Sequence, residues 1–186
     1  MSGPYWRNEP LTKEERELLK VVYKAHQESV DRQNISSVTA QNVAAGSMSY
    51  TNAIAAAILS IGNGIHAPLE FTIQLLNEPD PVKEANRILD EGCKIPGWGN
   101  SFVKGQPDPI WNDADATIYH VAPELWRTIR GITTALHGRG KKIFPNPSTY
   151  TAATAIILRM PPKLAPSIFV MGRLAGWSKL ITPFLR

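Results

Sequence analysis

Apolar residues recur at three- and four-residue spacing along most of this chain of 186 residues, the period of helices that bury one face. Leu18, Val22, Ala25 and Ser29, with Leu19 beside them, trace one such face. Thr12 followed by Glu15 forms a capping box in front of it. The stretch "SYTNAIAAAILSI" (49–61) predicts a compact helix whose alanines suit close helix–helix contact, and "PLEFTIQLLNE" (68–78) continues helically. Asp80 and Pro81 supply an N-cap and a first helical position for "PVKEANRILDEG". Residues 113–140 read as helix on both sides of a break at Pro123. Residues 148–160 form a helix that stops at Pro161–Pro162, and 165–181 form the last one. No two alternating apolar runs are joined by a hairpin signal, so strands are few. The expected fold class is all-α.

Two stretches break this pattern: "CKIPGWGNSFVKGQPDPIW" (93–111) and "GRGKKIFPNPSTY" (138–150). Both are rich in Gly, Pro and polar residues, the kind of loop on which helical scaffolds place sites. The length fits one domain, or two small lobes, able to bury roughly 70% of the unfolded surface. Net charge is +4, with only "RGKK" (139–142) locally dense. Without a basic stripe this argues against a nucleic-acid partner, whereas a small anionic ligand suits the same charge. Cys93 stands alone, which excludes an intrachain disulfide and a cysteine-based zinc site. The start "MSGPYWRNEP" has no apolar core of a signal peptide, and no run of about 20 apolar residues follows it. A soluble cytoplasmic protein without a membrane partner is expected.

Individual residues carry two readings each. His66, between Gly64 and Pro68, can donate a hydrogen bond to a substrate carbonyl. It can equally cap the carbonyls of the preceding helix, and the pattern alone favours the cap. In "IPGWGNS", the two glycines let a ligand approach the backbone closely, and Asn100 can present its amide; a plain loop with Trp98 in the core is the other reading. Lys104 can meet a phosphate as a point charge or be a solvated surface lysine. Ser148, at the start of an apolar helix, reads first as an N-cap. Arg173 sits among Gly172, Ala175 and Gly176 on an otherwise apolar helix. A charge there is costly unless paired, so a carboxylate of the protein or of a ligand should reach it. His26, His120 and His137 have no metal-ligand spacing, and no phosphate loop, Ser-His-Asp set or H-E-x-x-H motif occurs. No metal site is expected.

In order along the chain, these pieces resemble the citrate synthase family, citryl-CoA lyases included. "SVTAQNVAAGSMSYTNAIAAAILSIGNGIHAPLE" is similar to the family's helix of the form S-x-x-T-A-R, an Ala-rich helix and then G-P-x-H-G-G-A-x-E. "IPGWGNSFVKGQPDP" resembles the loop P-G-F-G-H-R-V-Y-K-x-x-D-P-R, and "FPNPSTYTAATAIILRMPPKLAPSIFVMGRLAGW" resembles P-N-V-D-F-Y-S-G with the helix ending in G-R-x-A-G-W. The likeness runs from about Val30 to Trp177.

The resemblance implies a role for His66 at the thioester carbonyl, which reverses the reading as a cap. It implies that Asn100 stands where a second histidine polarises the ketone of the oxo acid. Ser148 stands where an aspartate removes the thioester's α-proton, and Ile110 replaces the arginine after the D-P pair. Arg173 matches a carboxylate-binding arginine, and Lys104 a cation near the CoA phosphates. Asp31–Arg32 falls near an oxo-acid-binding histidine, which makes Arg32 a substrate-binding candidate. The implied activity is making or breaking a carbon–carbon bond between an acyl-CoA and a 2-oxo acid, as an acyltransferase or lyase. The CoA thioester is then a substrate, with no covalently bound cofactor. Serine without an adjacent base cannot enolise a thioester, so ordinary citrate synthesis should be impaired or altered. The alternative is a non-catalytic dimeric module. The family also implies a homodimer through its large-lobe helices, to which small residues at 50–60 are suited. Residues 1–66 and 151–186 would form a reduced large lobe and 67–150 the small, CoA-side lobe.

Overall fold

The computed structural model describes residues 6–32, 34–61 and 68–185. His66 lies outside the described residues. Among the described ones, nine α-helices follow one another: α1 (Lys13–Glu28), α2 (Ile35–Ser47), α3 (Tyr50–Leu59), α4 (Pro68–Leu76), α5 (Pro81–Asp90), α6 (Asn112–Val121), α7 (Pro123–Gly138), α8 (Pro147–Ile157) and α9 (Pro166–Ile181). Short 3₁₀ turns precede α2, α6 and α9 and follow α9. No strand occurs among the described residues, so the all-α expectation stands. No helix there is long and apolar enough to cross a membrane.

Local chemistry explains most of the helix boundaries. The Thr12 hydroxyl accepts from the Glu15 backbone N–H, while the Glu15 carboxylate accepts from the backbone N–H of Thr12 at 2.7 Å. The Asp80 carboxylate accepts from Lys83 N–H, with Pro81 in the first turn where its missing N–H costs nothing. The break at Pro123 separates α6 from α7 as the sequence predicts. Helix α2 escapes the periodicity argument. Its buried residues are Ser36, Ser37, Ala40 and Ala44, so its inner face is made of small side chains and shows little contrast with its outer face.

Buried side chains fall into two clusters. The larger gathers Leu18 and Val22 of α1 with Trp111 of the turn before α6 and residues of α4 to α8, including Ile73, Ile132 and Ala153. The smaller joins Val30, Ala40, Ala44, Ala53, Ala57, Trp177 and Ile181. Helix α9 serves both, with Ile168 in the first and Trp177 in the second. It lies tightly on α1 because glycines face the contact: a Cβ on Gly172 would stand 2.7 Å from His26 Cβ, and one on Gly176 2.8 Å from Val30 Cγ2. Arg173, between those glycines in the chain, is thereby drawn deep into the protein.

The two irregular stretches meet each other. Trp98 and Pro145 form an antiparallel bridge, Gly99 N–H donates to Phe144 O (2.9 Å), and Asn146 N–H donates to Gly97 O (2.9 Å). Gly97 has φ +85°, and a Cβ there would stand 2.6 Å from Thr149 Oγ1. Only glycine fits that turn. The Trp98 indole N–H anchors the pair by donating to the buried Thr133 Oγ1 of α7 at 2.9 Å.

Candidate functional site

Arg173 is buried, with 5% of its surface exposed, and its partners are neutral. Its guanidinium donates to Asn34 Oδ1 (3.0 Å), Ser36 Oγ (3.0 Å) and Ser29 Oγ (3.3 Å). Cζ lies 4.3 Å from the centre of the Phe169 ring, and Nε has no hydrogen-bond partner among the described residues. Asn34 Oδ1 is also the acceptor for Ser37 N–H and for the hydroxyls of Ser36 and Ser37. Four donors on an oxygen with two lone pairs leave each bond weak. Burial pulls the Arg173 pKa down to about 9, the mark of a cation deprived of water without a counter-charge. The carboxylate that the sequence demanded does not come from the described protein.

Arg173 opens onto a cavity of about 160 Å³ whose wall includes Arg32, Asn34, Asn100, Ser148 and Phe169. Four of the residues singled out from the sequence, at positions 32, 100, 148 and 173, thus come together. The elements that bring them are the turn after α1, the 93–111 loop, the start of α8 and the middle of α9.

Asp108 organises one side of this cavity. It is buried, and both its oxygens engage the Arg32 guanidinium, Oδ1 accepting from Nη2 at 2.7 Å and Oδ2 from Nη1. Oδ2 also accepts from the Asn100 amide at 3.0 Å, and Asn100 Oδ1 accepts from Phe102 N–H at 2.9 Å. Asn100 is therefore fixed at both ends, with one amide N–H beyond the bond to Asp108. Asp108 also caps the turn at Pro109–Trp111. The D-P pair pointed to this region, but nothing in the local sequence showed that its partner is Arg32, 76 positions away.

Ser148 is not the N-cap of α8. That role belongs to Asn146, whose Oδ1 accepts from Ser148 N–H at 2.8 Å. Pro147, favoured at the first helical position, was the signal that places the cap at Asn146, two residues earlier. Ser148 is the second helical residue, buried against the cavity. No Asp or Glu among the described residues lines that cavity. Asp113 forms an exposed ion pair with Lys24 at 3.6 Å, and Glu70 is exposed.

Lys104 lines a neighbouring cavity of about 340 Å³ that shares Gly99 and Asn100 with the first. Lys142, from the dense "RGKK" segment, stands in its wall as well, a second cation that the sequence marked without assigning. A third, more apolar cavity of about 420 Å³ borders Gly99 and Ile143, with Trp98, Leu136 and Lys141 in its wall. Gly99 thus adjoins all three. His26 is fully buried, with Nε2 2.9 Å from Thr151 Oγ1 and its ring 4.1 Å from the Phe169 ring centre. Its ring thus packs against Phe169, a wall residue of the first cavity. Among the described residues no group of His, Cys, Asp and Glu is arranged to hold a metal ion.

Solved structures share the fold: citryl-CoA lyase from Hydrogenobacter thermophilus has a TM-score of 0.81 at 21% identity, over 97% of this chain and 73% of the lyase. Citrate synthase from Thermotoga maritima MSB8 has a TM-score of 0.78 at 21% identity, over 93% of this chain and 50% of the synthase. ATP citrate lyase from Methanothrix soehngenii, solved with citrate and coenzyme A, has a TM-score of 0.81 at 13% identity, over 96% of this chain and 32% of that one. The chain therefore spans about half of the second and a third of the last. No curated protein sequence matches significantly. The model of the citrate synthase C-terminal domain matches residues 4–181, and the chain belongs to the citrate synthase family.

Proposed function

We propose that this chain binds a coenzyme A thioester and a small carboxylic acid in adjoining cavities, as a divergent relative of enzymes that make or break a carbon–carbon bond between an acyl-CoA and a 2-oxo acid. The observation that carries this reading is Arg173, a buried guanidinium at a cavity wall whose described partners are all neutral. A ligand carboxylate supplies the planar, bidentate acceptor that such a group lacks. Asn100 donates to the ligand's carbonyl or hydroxyl oxygen. His66 has the role that the family resemblance implies, polarising the thioester carbonyl. Lys104, joined by Lys142, receives the CoA phosphates, and the apolar cavity beside Trp98 takes uncharged parts of the same substrate.

The chemistry departs from citrate synthesis because no described residue stands beside Ser148 as a base to activate it. No carboxylate among the described residues of the Arg173 cavity can accept a proton from an α-carbon. The same observation favours a second reading, a family member that keeps the binding sites and has given up catalysis. In either case the working unit is a homodimer. Helix α3 buries Ala53, Ile54 and Ala57 but leaves Tyr50, Ile58 and Leu59 exposed, Leu59 at 84%. Met48 beside them is exposed too, and burying this face against a second copy removes that apolar surface from water. The lobes divide as the family resemblance implies, with 67–150 on the CoA side.

Calorimetry with CoA, acetyl-CoA, oxaloacetate and citrate tests the reading. At least one should bind at millimolar concentration or tighter; silence from all four contradicts it. Turnover of any of them that disappears in His66→Ala would exclude the non-catalytic alternative.

A further inference from the structure

The charges around the Arg173 cavity define more than a site for a carboxylate. Two guanidinium groups reach its wall, from Arg32 and Arg173. Arg32 is already committed, because Asp108 takes Nη1 and Nη2 with its two oxygens. Asp108 is itself 3% exposed and holds Asn100 as well, so moving it away from Arg32 would strand a buried carboxylate. Among the described residues of its wall, one positive charge is therefore left uncompensated. Every other polar side chain in its described wall is neutral: Ser29, Asn34, Asn100, Ser101, Asn146 and Ser148. Lys104 and Lys142 line the adjoining cavity on the other side of Asn100 and do not line this one.

Resting on the carboxylate-binding reading above, we propose that the Arg173 cavity selects a 2-oxo or 2-hydroxy monocarboxylate, and that the Asp108–Arg32 pair is what rejects a second carboxylate. One ligand carboxylate neutralises Arg173. A second would leave water for neutral dipoles and a guanidinium whose fork is filled, and a buried charge without a partner is strongly disfavoured. A carbonyl or hydroxyl oxygen next to the carboxylate suits the amide of Asn100 and the hydroxyls of Ser101 and Ser148. Phe169 under Arg173 and Phe102 at the cavity wall leave the remaining carbons of the acid an apolar surface.

The test compares pyruvate and lactate with oxaloacetate, malate and citrate by calorimetry on the full chain, alongside CoA. The wild type should bind the monocarboxylates at least roughly tenfold more tightly, the worth of one charge-assisted hydrogen-bonded pair. Asp108→Asn frees the charge of Arg32, and the preference should shift toward oxaloacetate by a similar factor. Should that variant fail to fold, the wild-type ratio decides alone. Oxaloacetate or citrate binding more tightly than pyruvate to the wild type overturns this proposal and leaves the carboxylate-binding reading in place. Selectivity unchanged in a folded Asp108→Asn protein overturns the part given to Asp108. Binding of CoA with none of the acids overturns the proposal and the role of Arg173 together, and binding of nothing at all overturns the whole functional reading.

Discussion

Gly172 of α9 faces His26 of α1 so closely that an added Cβ would lie 2.7 Å from His26 Cβ. This contact sets how deeply α9 sits and therefore where its next residue, Arg173, can point. Gly172→Ala should cost about 1–3 kcal/mol, the usual penalty of overpacking, and should weaken ligand binding by displacing α9. Gly46 in α2 is the matched control, since nothing lies within 4 Å of its missing Cβ. Gly46→Ala should stabilise the protein by about 0.5–1 kcal/mol through helix propensity and chain entropy. Urea unfolding of both variants measures the two signs.

Arg173→Met should separate stability from binding. A buried cation among neutral dipoles is a cost to the fold, and replacing buried charge with an apolar side chain of similar length often stabilises by about 1–4 kcal/mol. The variant is expected to melt higher than the wild type and to lose affinity for carboxylic acids. A lower melting temperature with binding intact would show that the guanidinium is structural.

Thr133→Val removes the acceptor of the buried Trp98 indole N–H. An unsatisfied buried donor costs about 1–3 kcal/mol. Because Trp98 pins the 93–111 loop, which carries both Asn100 and Lys104, affinity for CoA and for the acid should fall together. Denaturant melts and calorimetry on the same preparation check both halves.

A pH dependence follows from the first helix. Burial pushes the Glu15 carboxyl up, but the Arg7 guanidinium and the Thr12 backbone N–H together outweigh it and hold the group below its ordinary value. A carboxyl lowered on folding contributes stability above its unfolded value, about 4.3, and loses it as pH falls through the lower folded value. Arg7→Ala should therefore be less stable than the wild type at pH 7, with the gap closing below about pH 4. A gap that stays constant into acid would place the effect in packing rather than charge.

Much of the scaffold was legible because α1, α5 and α7 each present one apolar face and carry recognisable starts: the capping box at Thr12, Asp80–Pro81 and Pro123. Helix α2 was not visible in the periodicity, since serine and alanine make its buried face. The site was legible only in pieces. Arg173 announced itself as a charge on an apolar helix, and the two loops as breaks in the pattern. The bridge of those loops at Trp98 and Pro145, the cap at Asn146 and the capture of Arg32 by Asp108 depend on which distant segments meet. That information lies in packing, not in any local window. Asn34 went unnoticed for the same reason, as the N-cap of a helix the periodicity missed and a partner of a guanidinium 139 positions away.

Whether Arg173 receives a ligand carboxylate is decided by a crystal structure of the chain grown with CoA and pyruvate. The acid should lie in the cavity between Asn100 and Phe169, its carboxylate hydrogen-bonded to the Arg173 guanidinium, with Arg32 still paired to Asp108. An acid bound elsewhere, with Arg173 keeping only Ser29, Asn34 and Ser36 as partners, would contradict it.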